Sequence, residues 1–196
     1  KGKPLFLQSI TMAMGCHALG SIYHLCQTLT TETVLEGFTP AYLGRIGFFL
    51  FLFTANFGQM DGLLDDRTPS LKKYRYIALI APVTAALLYL PCLFADMPYS
   101  TKISLGFIWI SAIFSSYFNF KHAIISDLGY GFAKAIRPYN ICALILTFLE
   151  LILQVLWAYY EFGYILIVIL SITVIFSVMS VVTILALKRG VEEWKI

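Results

Sequence analysis

The chain has 196 residues, of which 59% are hydrophobic and 13% charged, and its formal net charge is +3. A soluble domain typically carries about 25% charged residues, so this composition leaves too little polar surface for a soluble protein. The basic residues do not form one continuous basic face, which argues against a nucleic-acid partner.

Six apolar segments occupy most of the sequence. Each is about as long as an α-helix must be to cross a hydrocarbon core of roughly 30 Å. We therefore predict an all-α, polytopic membrane protein, a six-transmembrane-helix bundle that forms a single integral membrane domain over 1–196 and has the lipid bilayer as its surroundings. The predicted spans are 5–28, 41–61, 75–95, 102–124, 137–160 and 163–187.

Three of these spans carry local signals of their own. The first contains His17 and His24 and lacks a small-x-small cleavage site, so it reads as a retained helix rather than a signal peptide. The second begins at Thr39 and Pro40, an N-cap residue followed by proline in the first turn. The third contains Pro82, which we expect to bend the helix because proline has no N–H for the backbone ladder.

The distribution of Lys and Arg predicts the orientation. Threading six spans places twelve of the fourteen Lys and Arg residues on one side and leaves only Arg45 and Lys102 on the other. Basic residues concentrate in cytoplasmic loops. The sequence therefore predicts a multi-pass protein of the cell membrane with its N- and C-termini cytoplasmic.

Polar side chains recur at helical spacing within five of the predicted spans. Each is costly in hydrocarbon unless it faces protein, water or a ligand, so we expect these stripes to converge on the bundle axis. The stripes comprise His17, Gly20, Ser21 and His24; Arg45, Asn56 and Gln59; Ser111, Ser115, Asn119, His122 and Ser126; Asn140, Thr147, Glu150 and Gln154; and Thr173, Ser177 and Ser180.

The acid Glu150 is the only one well inside a span. A carboxyl group at that depth is expected to be protonated or paired, and Arg45, His17 and His24 are the candidates at similar depth. We predict an outer polar site of His17, His24, Arg45, Glu150 and Gln154. It would either bind a small molecule or ion or fix the register of the helices.

The same site does not match a metal or haem centre. His17 and His24 are about 10 Å apart along a helix axis, too far for both to bind one Zn²⁺ or to share one haem. We therefore assign no metal ligand, and the sequence leaves any cofactor unknown.

A second polar cluster is predicted toward the cytoplasmic end. Hydrogen bonds between amide and hydroxyl groups of neighbouring helices contribute roughly 0.6–2 kcal/mol each, enough to hold one end of a bundle closed. We interpret this inner cluster as structural, and its members are Asn56, Gln59, Asn119, His122 and Asn140.

Two cysteines, Cys26 and Cys92, fall near the outer ends of their spans. They would be able to form a disulfide only if the first and third spans are neighbours. The sequence leaves this pairing open.

Three function classes fit the sequence. The first is a bundle that binds or transports a small molecule through a polar pocket open to the outside. The second is a membrane sensor or accessory subunit whose basic inner loops contact a separate cytoplasmic partner. The third is a membrane-embedded lipid-modifying enzyme with Glu150 or His17 as acid or base. No nucleophile constellation or HExxH motif is present, so no catalytic residue is assigned and the non-enzymatic classes are favoured.

Overall fold

The computed structural model describes residues 3–31, 38–57, 69–125, 131–159 and 162–193, and this part of the chain is helical without any strand. Its helices are α1 (Lys3–Thr31), α2 (Pro40–Asn56), α3 (Pro69–Ala78), α4 (Ile80–Leu87), α5 (Tyr89–Phe94), α6 (Tyr99–Ile124), α7 (Gly131–Ala158) and α8 (Phe162–Glu193).

Five helical stretches among the described residues are long and apolar enough to cross a membrane: Leu5–Gln27, Lys72–Phe94, Tyr99–Ile124, Arg137–Ala158 and Gly163–Leu185. The helix α2 corresponds to the second predicted span and has 17 residues up to Asn56, while positions 58–61 of that span lie outside the described residues. The prediction of an all-α chain with several membrane-length helices is confirmed.

Two prolines divide the third stretch into α3, α4 and α5. The helix is interrupted at Leu79 and again at Leu88, in each case three residues before a proline, Pro82 or Pro91. A proline removes the bond to the carbonyl four residues earlier and its ring clashes with that carbonyl, so the ladder breaks there. The bend predicted at Pro82 is confirmed, and Pro91 adds a second break.

The helices α1 and α7 run parallel and in register. Three side-chain contacts join them, and in each contact the two residue numbers differ by 133: Phe6 with Tyr139, His17 with Glu150, and His24 with Trp157. A constant difference along two helices requires that both advance in the same direction. Two parallel helices are separated by an odd number of stretches of alternating direction, here the three stretches α2, α3–α5 and α6.

Glycines allow α1 and α2 to approach closely as an antiparallel pair. A Cβ added at Gly44 would lie 2.6 Å from the Gly20 Cα and 2.7 Å from the Cys16 carbonyl oxygen. Helices within a membrane gain from such approach because packing rather than the hydrophobic effect joins them. Gly20, a residue of the stripe predicted on the first span, therefore lies at the closest approach of α1 and α2.

The remaining helices surround this pair. In order of contact, α1 lies against α2, α2 against α6, α6 against α7, and α7 against α8. The broken stretch α3–α5 lies along α6, where the Trp109 indole N–H donates to the Ala85 carbonyl at 2.9 Å and the Tyr89 hydroxyl donates to the Lys102 carbonyl at 2.7 Å. These bonds satisfy polar groups at the edge of a helix that prolines have interrupted.

The helix α8 exposes most of its surface. Only 17% of the stretch Gly163–Leu185 is buried, and a shallow groove of about 340 Å³ on it is lined by Ile167, Leu170, Ser171, Val174 and Ile175. The predicted inward stripe of Thr173, Ser177 and Ser180 is wrong: Thr173 and Ser177 are exposed, and all three hydroxyls bond to carbonyls of their own helix. The residues that α8 does bury are Ile165, Ile172, Met179 and Thr183.

All four cysteines are free thiols. Cys26 is exposed on α1 and Cys92 is buried on α5, so the structure contains no disulfide between them. Cys142 is buried and Cys16 is half-buried, as expected for small apolar packing residues.

Candidate functional site

A buried carboxylate lies at the centre of the outer polar site. The Glu150 side chain is 5% exposed; its Oε1 is 2.7 Å from His17 Nε2, and its Oε2 is 3.5 Å from Arg45 Nε. The acid on α7 thus has one partner on α1 and another on α2. The prediction that Glu150 is paired, with His17 and Arg45 among the candidates, is confirmed.

The close packing of α1 on α2 explains how both partners reach one acid. Gly44 precedes Arg45 and lies against Gly20, one turn along α1 from His17. Two helices separated by glycines present neighbouring side chains to a third helix at short range. The local sequence therefore places a cation and an imidazole beside the same carboxylate.

Aromatic rings enclose His17. Its ring lies 5.0 Å from Phe48, edge to face, and 5.0 Å from Phe176, in a stacked arrangement. The sequence analysis did not include these two residues. Phe48 follows Arg45 by three positions and so shares its helix face, whereas Phe176 on α8 gives no signal that distinguishes it from other apolar residues of that helix.

The other two predicted residues of the outer site lie further along the same helices, His24 two turns after His17 and Gln154 one turn after Glu150. His24 is edge-on to Trp157 at 5.6 Å and interacts electrostatically with Arg45 and Glu150. Gln154 is 5% exposed, and its Nε2 has no hydrogen-bond partner within the described part of the chain. The five predicted residues therefore lie along one boundary between α1, α2 and α7.

The charges of this boundary are nearly balanced. Glu150 is the only acid in α1, α2 and α7, and Arg45 is the cation beside it. A buried ion is costly unless its charge and hydrogen bonds are compensated. His17 supplies the short hydrogen bond and Arg45 the opposite charge, while their own side chains remain 15% and 12% exposed.

The inner cluster contains a hydrogen-bond chain between α2 and α6. The Asn56 amide donates to Asn119 Oδ1 at 2.7 Å, and the Asn119 amide donates to the Ser115 carbonyl and hydroxyl at 2.8 and 3.0 Å. His122 is also buried, with its ring 6.4 Å from that of Phe118. Ser115 was predicted to lie on this face, and the structure shows that it is part of the chain.

Two further features complete the inner cluster. Asn140 is fully buried, and neither atom of its amide has a hydrogen-bond partner among the residues described. Lys121 is 1% exposed, and its Nζ lies 5.7 Å from the Phe118 ring centroid. From the sequence, this lysine was only one of the twelve basic residues predicted on the cytoplasmic side. Gln59 lies outside the described residues.

The arrangement of the ionisable groups does not resemble a metal centre. Over 3–31, 38–57, 69–125, 131–159 and 162–193, no group of three or more His, Cys, Asp and Glu side chains is close enough to hold a metal ion. The outer site instead has nitrogen groups of His17 and Arg45 arranged around one carboxylate.

Comparison of the chain with protein-family models, curated proteins and solved structures found no match. The functional argument therefore depends on the geometry of the outer site.

Proposed function

We propose that the chain is a six-span protein of the cell membrane that binds a small polar molecule at the outer site, for transport across the membrane or for sensing. This proposal depends on one observation: the His17 and Arg45 side chains, which contact Glu150, each keep part of their surface exposed. A contact that only fixes helix register has no need of partners that keep part of their surface exposed, whereas a binding site requires them.

The unpartnered amide of Gln154 supports the same proposal. A buried polar group without a hydrogen bond costs about 1–3 kcal/mol, so sequences rarely retain one without a role. Gln154 follows Glu150 by one helical turn, about 6 Å along α7. A ligand placed beside Arg45 would come within reach of the Gln154 amide.

The number and orientation of the spans are also part of the proposal. The parallel register of α1 and α7 is consistent with three crossings between them, with α2 as one. The positive-inside rule then places both ends of the chain on the cytoplasmic side, beside the exposed Lys72, Lys73 and Lys188. In this orientation Glu150 lies in the outer half of the membrane and Asn119 in the inner half.

The experiment that tests the proposed site measures whether water-soluble reagents reach it. We expect Gln154→Cys, in a background carrying Cys26→Ser, to react with a methanethiosulfonate reagent added from outside to the protein in lipid nanodiscs. The matched control is Ser111→Cys, a buried polar position on α6 whose hydroxyl bonds to the Ile108 carbonyl of its own helix. Equal protection of both cysteines would contradict an accessible site.

Ligand binding itself is measured by thermal unfolding of the wild-type protein with mixtures of polar metabolites. A ligand at 100 times its Kd stabilises the folded state by about 2.7 kcal/mol. We expect at least one compound to raise the Tm of the wild-type protein and of Ser111→Ala but not of Gln154→Leu. Equal shifts in all three proteins would place the binding elsewhere and overturn the proposal.

A further inference from the structure

The contact between Arg45 and Glu150 uses only part of the guanidinium. Nε is 3.5 Å from the carboxylate, whereas His17 Nε2 is 2.7 Å from the other carboxylate oxygen. Charge-assisted hydrogen bonds are typically about 2.7–2.9 Å long, and paired Arg and carboxylate groups commonly form two parallel bonds. Arg45 therefore lies beside Glu150 without forming the two-bond pairing that its geometry permits.

The ion pair between Arg45 and Glu150 is formed through Nε. No other described residue forms a hydrogen bond or ion pair with the Arg45 side chain, which keeps 12% of its surface exposed. A guanidinium carries five N–H donors and no acceptor. The Arg45 guanidinium therefore retains N–H donors that can bind a further acceptor.

The outer part of the α1–α7 boundary adds a second donor. The contacts of His17 with Glu150 and of His24 with Trp157 mark two levels seven residues apart, about 10 Å along the axes. Gln154 lies between them with its Nε2 unpartnered, again within the described residues.

We infer that the outer site binds a small organic anion whose carboxylate accepts hydrogen bonds from Arg45 and Gln154, with Glu150 competing for Arg45 when no ligand is bound. This inference rests on the proposed function and specifies its ligand class. The planar guanidinium fork matches a carboxylate in shape as well as in charge. His17 holds Glu150 in place when Arg45 turns to the ligand.

This competition predicts an unusual effect of removing the acid. Glu150→Gln deletes the negative charge that opposes an incoming anion and frees Arg45 from its partner. A cationic ligand would instead lose its only anionic contact in the described helices of the site. The sign of the Glu150→Gln effect therefore separates an anion site from a cation site.

The test measures binding by thermal unfolding of the full chain in nanodiscs, with acetate, lactate, succinate and benzoate as probes and the corresponding neutral amides as matched controls. We expect one or more carboxylates to bind and their amides to bind about tenfold more weakly or worse. Glu150→Gln is expected to tighten carboxylate binding about tenfold, and Arg45→Gln to weaken it by a similar factor.

Two further variants keep the test decisive if Arg45→Gln does not fold. Arg45→Lys keeps the charge but lacks the fork, so we expect it to bind the carboxylate more weakly than wild type. Gln154→Leu is expected to weaken binding as well, whereas Ser111→Ala should leave it unchanged. Carboxylate binding that is the same in all variants would overturn the inference, because it would occur away from Arg45.

The outcomes distinguish this inference from the proposed function. If reagents reach Gln154→Cys but no carboxylate binds to wild type or Glu150→Gln, the site stands and the anion class is wrong. If an amide or amine binds and Glu150→Gln abolishes that binding, the ligand is a donor-bearing or cationic molecule. If the cysteine is protected and no probe binds, the proposed function is itself wrong.

Discussion

Arg45 Nε lies 3.5 Å from Glu150 Oε2, and this contact links the second helix of the chain to the seventh. Both side chains are more than four-fifths buried, at 12% and 5% exposed, so neither charge is fully solvated. The stability of the bundle is therefore expected to depend on the two residues jointly rather than separately.

The first prediction concerns this coupling. Removing one partner of a buried pair leaves an uncompensated charge and costs about 3–5 kcal/mol. We expect Arg45→Gln and Glu150→Gln each to lower the free energy of unfolding, and the double variant to lose about 0.5–3 kcal/mol less than the two single losses together. Reversible unfolding in mixed micelles, with Ser111→Ala as control, measures all three. Strictly additive losses would show that the contact contributes no coupling.

The second prediction concerns the crossing of α1 and α2. A Cβ at Gly44 would lie 2.6 Å from Gly20 Cα, so the helices must separate in Gly44→Ala. Overpacking of this kind costs about 1–3 kcal/mol or more. The matched control is Gly15→Ala on α1, where nothing lies within 4 Å of the added atom.

Thermal unfolding of the two alanine variants is the measurement. Gly15→Ala is expected to be neutral or stabilising by up to about 1 kcal/mol, because alanine favours a helix over glycine. Gly44→Ala is also expected to weaken binding at the outer site, since it moves Arg45 relative to His17. Equal stability of the two variants would contradict the close approach of the helices.

The sequence predicted the long apolar helices and the pairing of Glu150 because the underlying signals are strong. A run of about 20 apolar residues has few structural alternatives. Glu150 is the only acid within its helix, and the high cost of an unpaired charge in hydrocarbon limits its environment to a partner such as Arg45 or His17.

The hydroxyl stripe on α8 shows where this reasoning fails. The side chains of Thr173, Ser177 and Ser180 each donate to a carbonyl three or four residues earlier in their own helix. Their polar atoms are therefore satisfied while facing lipid, so their spacing carries no information about the bundle axis. The Asn119 amide nitrogen also donates within its own helix, but its Oδ1 accepts a hydrogen bond from Asn56 on α2. The Glu150 carboxylate likewise contacts other helices, so these two residues do indicate the interior.

The register between helices was not predictable either. Phe176 stacks on His17, and Tyr139 contacts Phe6, but each lies on a helix that carries many other apolar residues. Hydropathy alone does not select one face of such a helix. The break at Pro91, by contrast, has the same cause as the break at Pro82, because this proline also lies within the third predicted span.

The third prediction concerns the link between Asn56 and Asn119. In Asn119→Ala the Asn56 amide loses its acceptor, and we expect a loss of about 1–2 kcal/mol in the free energy of unfolding. Replacing both residues with leucine is expected to recover part of that loss, because two apolar side chains leave no unpaired polar group. The measurement is unfolding in mixed micelles. A double variant less stable than Asn119→Ala would show that the cluster has a role beyond the bond itself.

The fourth prediction concerns orientation. Asp96, between α5 and α6, and Lys188, near the end of α8, are both exposed, and α6, α7 and α8 lie between them in the chain. Three membrane crossings place the two positions on opposite sides. In a background carrying Cys26→Ser, we expect Asp96→Cys to react with a membrane-impermeant maleimide on intact cells, and Lys188→Cys to react only after permeabilisation.

Each outcome of this labelling has a definite structural meaning. Reversed accessibility would invert the orientation and place Glu150 in the inner half of the membrane, which would contradict a site open to the outside. Labelling of both cysteines on intact cells would mean that one of the three helices does not cross. Because Cys92 and Cys142 are buried in the bundle, they are expected to stay unlabelled in both conditions. The control is the Cys26→Ser protein without either added cysteine, which measures labelling of the remaining native cysteines. If this control stays unlabelled, the difference between Asp96→Cys and Lys188→Cys reports on orientation alone.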